Sequence, residues 1–427
     1  MNKFFFAVAG GTMIAASAGW ASDLPLKAPA AVVEPLAASW TLNTTSELKY
    51  YTWRDSLTIP GTGTKGSELY TPVSAQMNGT VGNVLSIELV GRGGWVNINQ
   101  RADDFSAGLN TVTDTNLSAN FTYIGLNGFQ PFAGLQTSLP TGRSSRNTQL
   151  DPDLVEVPAT GLGLDIGGTV GFNLLPSTGW VLTTSATYLE RGSFGRENGP
   201  VPLINPAILP PAASISIKPG DVVTLAQSIS YGTGPFSARL SGSAAMEGPT
   251  FQDGLKLMKP GNTYSLSGET NYIWPRLVGT TTLLGSVTHT DAVETALATN
   301  PAIAATLANT ASNVYSVGLQ HLVPIGTFVV GPTASYLFRD NSGFNSSKLE
   351  FTPAKQRYSA GLLARYTASP KLTLTARVEG VWTHLDGNLP TDSMRFTAIG
   401  GAFIPVPGSP AINGAALWTT LGLNYKL

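Results

Sequence analysis

The chain has 427 residues, of which 42% are apolar and 9% aromatic, with no cysteine and a formal charge of −1. A balance so near zero offers no electrostatic handle for nucleic acid, and the missing cysteines exclude a disulfide scaffold. Charged residues make up only 12%, against roughly 25% in soluble domains, while glycine reaches 47 residues, so charge is not what covers this surface.

The N-terminal stretch "MNKFFFAVAGGTMIAASAGWA" places Lys3 before an apolar run that starts at Phe4, and ends on the small residues Gly19 and Ala21. This pattern predicts a cleaved export signal over residues 1–21. Beyond it, no run reaches the roughly 18 apolar residues that a membrane-crossing helix needs. Residues 22–43, beginning "SDLPLKAPAAVVEPLAASW", are rich in Ala and Pro and predict a mobile periplasmic lead-in. Residues 44–427 then read as one unit.

Within that unit the apolar residues recur at every second position, which is the period of a strand with two unlike faces. Glu68 to Met77 is the weakest such stretch because it contains Pro72. Clearer strands follow, with Leu117, Ala119, Phe121 and Tyr123 on one beat, then Leu164, Ile166, Val170 and Phe172, then Trp180, Leu182, Ala186 and Tyr188. The beat continues through Phe236 to Met246, Tyr264 to Trp274, Leu277 to Val287, Tyr315 to Val323, Phe328 to Phe338, Tyr358 to Tyr366 and Leu372 to Trp382. The opposite beat is mostly Ser, Thr, Gly and Asn, as in "TTSAT" and "SGSAA". A soluble sandwich or propeller would carry Lys, Glu, Asp and Arg there. Small hydroxyl residues suit a confined wet lumen, and the apolar beat suits lipid, where every backbone group must pair and no sheet edge can stay open.

Connections alternate in length. Tight turns fall near Gly128, Pro176, Gly234, Pro275, Pro324 and Pro370. Long ones run over Pro140–Gly161, Arg191–Pro219, Gly248–Gly261, Thr290–Ser312, Asp340–Ala354 and Leu385–Ala415. Short turns on one rim and long loops on the other are what outer-membrane barrels show, and aromatics near both strand ends predict two interfacial girdles. The fold expected is therefore an all-β transmembrane antiparallel up-and-down β-barrel of about 16 strands, with 14 and 18 as the neighbouring even solutions. "TDAVETALATNPAIAATLANTASN" is the one helical reading, with Asp291 and Glu294 at capping-box spacing and Pro301 at a first helical position.

Several patterns invite chemistry. "GTGTKG" supplies Gly61, Gly63 and Gly66, but "SELYTPVS" opens no helix after it, so it reads as an external loop. His289 with Asp291 and His384 with Asp386 resemble the acid and His-acid pairs of surface barrel proteases of the omptin type, but with His ahead of Asp; no enzyme, cofactor or metal is expected. The strongest candidates are the charges on the polar beat: Glu47, Lys49, Glu88, Arg92, Asp165, Arg239, Glu247, Glu269, Arg365, Arg377 and Glu379. An Arg or Lys at the bilayer midplane costs roughly 2 to 4 kcal/mol, and acids less, so all should line the lumen. Six acids against five bases leave ion selectivity undecided. Asp151, Asp153 and Glu156 in the Pro140–Gly161 connection are candidates for a loop that constricts the channel.

The signal, the mature opening "SDLPLKAP" and a last strand with Leu417, Leu421, Leu423, Tyr425 and Leu427 on one beat give the chain its family likeness. It resembles bacterial outer-membrane β-barrel proteins of the porin-like group. Such proteins usually close on Phe or Trp, where this chain has Leu427. The resemblance implies a channel for passive diffusion of small hydrophilic solutes, set in outer-membrane lipid and inserted by the barrel-assembly machinery through the last strand. Trimer and monomer both stay open. The alternatives are a non-conducting structural or surface-interaction barrel, and a 14-strand transporter for apolar compounds.

Overall fold

The computed structural model describes residues 40–57, 65–82, 84–102, 105–143, 158–197, 214–275, 279–295, 311–341, 354–386, 395–399, 402–406 and 411–427. The expected signal and all but the end of the lead-in fall outside these residues. So do Gly61, Gly63, Asp151, Asp153 and Glu156.

Sixteen strands close into one antiparallel barrel. In chain order they are β1 (Thr41–Leu57), β2 (Lys65–Val81), β3 (Leu85–Ala102), β4 (two segments, Phe105–Val112 and Thr115–Tyr123), β5 (Phe129–Leu139), β6 (Asp165–Leu174), β7 (Trp180–Glu190) and β8 (Val222–Thr233). There follow β9 (Phe236–Glu247), β10 (Thr263–Trp274), β11 (Gly279–Thr290), β12 (Ser312–Ile325), β13 (Phe328–Arg339), β14 (Lys355–Ser369), β15 (Leu372–Leu385) and β16 (Ile412–Lys426). Each strand pairs with its neighbours in sequence, and β1 pairs with β16 from Asn43↔Lys426 to Leu57↔Ile412, which abolishes the sheet edge. Both segments of β4 pair with β3, so they make one interrupted crossing. The barrel begins at Thr41, inside the stretch read from sequence as lead-in.

Alternation fixes the two faces. Leu135, Val170, Leu225, Leu266, Leu319, Leu362, Val378 and Leu421 are among the large apolar side chains left exposed, all on the outer face. Aromatic pairs band the tight-turn rim on that face: Phe129 with Phe172 (5.6 Å between centroids), Trp180 with Tyr231 (4.5 Å), Tyr272 with Trp274 (4.8 Å) and Phe328 with Tyr366 (4.7 Å). Toward the other rim lie Tyr315 with Phe338 (6.1 Å) and Tyr336 with Tyr358 (4.8 Å). A closed barrel with an apolar belt between aromatic rings is stable only with hydrocarbon around it.

Pro72 cannot donate to a ladder, and the recorded β1–β2 pairing lapses beside it, between Ser46↔Val73 and Lys49↔Tyr70, before resuming in the same register. At the tight-turn rim, Gly179 takes φ 85°, and a Cβ there would fall 2.5 Å from the Gly232 carbonyl oxygen, so only glycine serves.

One expectation about the loops gains detail and one is corrected. The Gly248–Gly261 connection is largely a hairpin, Thr250–Gln252 with Leu255–Lys259, in a five-stranded sheet with Phe194–Glu197, Ser214–Lys218 and Glu294–Thr295. Glu294–Thr295 pairs as a strand with Met258 and Lys259, so the helix start expected at Asp291 does not form: a ladder with a neighbouring loop outcompetes the capping box. Residues 296–310, the rest of that helical reading, lie outside the described residues.

Candidate functional site

The lumen has two unlike walls. Strands β6 to β11 are short, 10 to 12 residues each, whereas β1 to β3 run 17 to 18 and β14 to β16 run 14 to 15; between them β12 (14) continues the first wall and β13 (12) the second by the side chains they carry. On the short wall the inner beat is a field of hydroxyls. Thr169 and Thr187 meet at 2.8 Å, Ser265 and Thr288 at 3.2 Å, Ser286 and Ser316 (the latter on β12) at 2.6 Å, and Thr183 donates to Asn173 at 2.8 Å. These groups bond to one another across the ladder and still keep part of their surface open. Short side chains leave room for water.

On the tall wall part of the inner beat is packed, while Thr45, Glu47, Lys49 and Arg92, nearer the tight-turn rim, keep some of their surface open. Thr333, Ser359, Leu363, Glu379, Val381 and Thr420 are all buried. Glu379 shows how. Its side chain lies against the wall over Gly361, where a Cβ would fall 2.6 Å from Glu379 Cγ, and it accepts hydrogen bonds from Thr333 Oγ1 on β13 and Arg377 on β15 (2.7 Å). One carboxylate thus ties β13 to β15 across Gly361 of β14. At 2% exposure it needs these donors, because a buried charge without them is costly.

Higher on the same wall an apolar cluster lies beside the buried Asp55, Glu68 and Gln100. Tyr51, Trp53, Val96, Ile98, Leu109 and Val381 form a buried cluster, with Tyr70, Ala416 and Trp418 against it. Tyr51 stacks on Trp53 (5.5 Å, 24°) and meets Trp418 edge-on (5.6 Å), while the Arg357 guanidinium lies 6.0 Å from the Tyr51 ring and 5.8 Å from that of Trp418. Gly66 admits this packing: a Cβ there would strike the Trp53 ring.

The register sets all eleven charges expected in the lumen on the face opposite the exposed apolar belt, though at different heights and in different company. Glu47 pairs with Lys49 (2.9 Å) and Arg377 with Glu379, both along one strand. Glu88 accepts from Gln76 and from Asn120 (3.3 Å) on the flanking strands. Arg239 donates to Ser241 (3.2 Å) and stands opposite Glu269 in the ladder, where Asn271 donates to Glu269 (3.0 Å). Arg92 lies opposite Ser74, and Arg365 opposite Val329. Asp165 and Glu247 belong to the rim, where Asp165 accepts the Gly192 N–H (3.0 Å) and Glu247 binds Arg191 (2.8 Å).

Sequence reading missed Arg339, Lys355 and Arg357, inner residues of β13 and β14 that join Arg365 and Arg377 in a basic strip on the tall wall. It missed the apolar cluster at the mouth too. A signal was there: "KYYTW", Lys49 to Trp53, is aromatic on both beats, as no strand facing only lipid and water need be. His289 and His384 share the outer face with Tyr264 and Trp382 at the long-loop rim, each 3.2 Å from its Asp and bonded to an Asn of the next strand (Asn313, 2.8 Å; Asn413, 2.7 Å). They sit on β11 and β15, outside the lumen.

No protein-family model and no curated protein matches the chain. Among solved structures it is similar to OccAB3 of Acinetobacter baumannii (9% identity, 90% of this chain and 99% of that one, TM-score 0.42). It is also similar to OccK7 of Pseudomonas aeruginosa (10%, 91% and 98%, 0.42) and to an anion-selective porin from Comamonas acidovorans (12%, 92% and 100%, 0.38). The barrel stands on its own pairing register, and its use has to be read from its own residues.

Proposed function

We propose that the barrel is a passive channel of the bacterial outer membrane, admitting small hydrophilic solutes through a lumen whose conducting path runs along the hydroxyl wall of β6 to β12. The observation that carries this reading is the contrast inside the barrel: partly accessible Ser and Thr along β6 to β12, against a patch of buried side chains in the long-loop half of the other wall. Water and small solutes follow the accessible side, and selection comes from width and from the lining charges.

In this reading the eleven inner charges and the basic strip of Arg339, Lys355 and Arg357 set the field, and Asp151, Asp153 and Glu156 of the Pro140–Gly161 connection are its candidate constriction charges. The outward Leu417, Leu421, Leu423, Tyr425 and Leu427 are what assembly machinery would read. The protein's place is the outer membrane, reached with a cleaved signal. A non-conducting barrel is the second reading, favoured by the packed aromatic mouth. Planar-bilayer recordings decide between them: stable conductance steps are expected, and silence from protein that migrates as a folded barrel on a heat-modifiability gel overturns the channel.

A further inference from the structure

Strand β4 breaks at Thr113 and Asp114. Trp95 pairs with Val112 and Arg92 with Asn116, so β4 spends one residue more than β3 over the same span, which is a bulge. Asp114 at this bulge is 2% exposed. Its Oδ1 accepts the N–H groups of Gly142 (3.0 Å) and Gly161 (2.5 Å), its Oδ2 accepts that of Leu162 (3.0 Å), and its own N–H donates to the Ala159 carbonyl (3.0 Å). Gly142 and Leu162 lie at opposite ends of the connection from β5 to β6. A single carboxylate therefore clasps both ends.

Neighbouring bonds fix the direction of the first end. Thr141 Oγ1 donates to the Thr113 carbonyl (2.7 Å), and the Arg143 N–H donates to Thr111 Oγ1 (3.0 Å). Thr111 pairs with Val96 on the inner beat, so the Arg143 N–H is held on the lumen side of the wall. The two ends also touch: a Cβ on Gly142 would fall 2.7 Å from the Val112 carbonyl oxygen and 2.9 Å from Thr160 Cα. Three backbone donors on one buried carboxylate form a charge-assisted clasp that neutral groups would not match.

We propose that Asp114 is a positioning residue: it holds both ends of this connection at the β4 bulge and thereby sets the conductance of the channel. The second half rests on the channel reading above; the first does not. Hydrogen–deuterium exchange on the detergent-folded full chain tests the first. Asp114→Ala should speed exchange of 140–143 and 158–163 about ten- to hundredfold, with Trp180–Glu190 unchanged. Asp114→Asn keeps an oxygen for the two glycines but turns an amide N–H toward Leu162, so the second end should loosen while the first holds. Asp114→Asn also preserves the test should Asp114→Ala fail to fold.

The same variants in planar bilayers test the second half, with a shifted open-channel conductance and greater current noise expected. Exchange at wild-type rates in Asp114→Ala overturns the clasp. Faster exchange with conductance unaltered overturns its part in the channel. A silent wild type sinks the channel reading itself and leaves the exchange data to judge the clasp.

Discussion

The short and tall walls are built from the same repeating ladder, yet only one carries a packed patch. On β6 to β12 the inner positions carry Ser and Thr, which satisfy each other at 2.6 to 3.2 Å and leave space. On β13 to β16 and β1 to β4 the inner positions include Val381, Trp53 and Ile98, which pack into one cluster, and the buried Glu379. The same backbone and pleat thus yield a wet surface or a small core according to which side chains the neighbouring strands bring to the same height. Stability should therefore reside on the tall wall and permeation on the short one.

The largest effect should come from breaking the clasp within the tall wall. Glu379→Ala strips Arg377 and Thr333 of their shared acceptor and should lower unfolding stability by about 3 to 5 kcal/mol, read by urea titration of the folded barrel. A loss under about 1 kcal/mol would mean this wall is not packed as described. Trp53→Ala empties the mouth cluster and should cost about 3 kcal/mol, while widening the mouth and raising conductance. Ser243→Tyr sharpens the contrast from the other side. It should reduce conductance with stability held within about 0.5 kcal/mol, and an unmoved conductance would argue that solutes do not pass along the hydroxyls. The smallest effect is expected on the outer face, where His289→Ala should leave conductance unaltered and change stability by less than about 0.5 kcal/mol.

The closed barrel was legible because strands announce themselves locally. Leu225, Leu266 and Leu421 sit at a period of two and face out, as that period requires. The inner charges were legible for the same reason: Glu47 and Arg377 fall on the beat that lipid forbids. Pro72 made β2 look weak, yet closure held it in a ladder that loses pairing only beside the proline. Less was legible where distant segments meet. The capping pattern at Asp291 is a sound local signal, but Glu294 pairs with Lys259 on another loop. Asp114 looks like any loop acid in "VTDTN" until the chain returns at Gly161 and Leu162 to bond it.

By itself, then, the sequence determined that an antiparallel barrel forms, which beat meets lipid and which meets the lumen, since each follows from alternation within one strand. Only the tertiary structure decided which inner residues are open and which are buried. Arg357 on β14 reaches Tyr51 on β1 because β16 closes against β1, and Glu379 ties β13 to β15 because Gly361 lies between them. Burial inside a barrel depends on what the neighbouring strands project to the same height, and that height is set by register and closure.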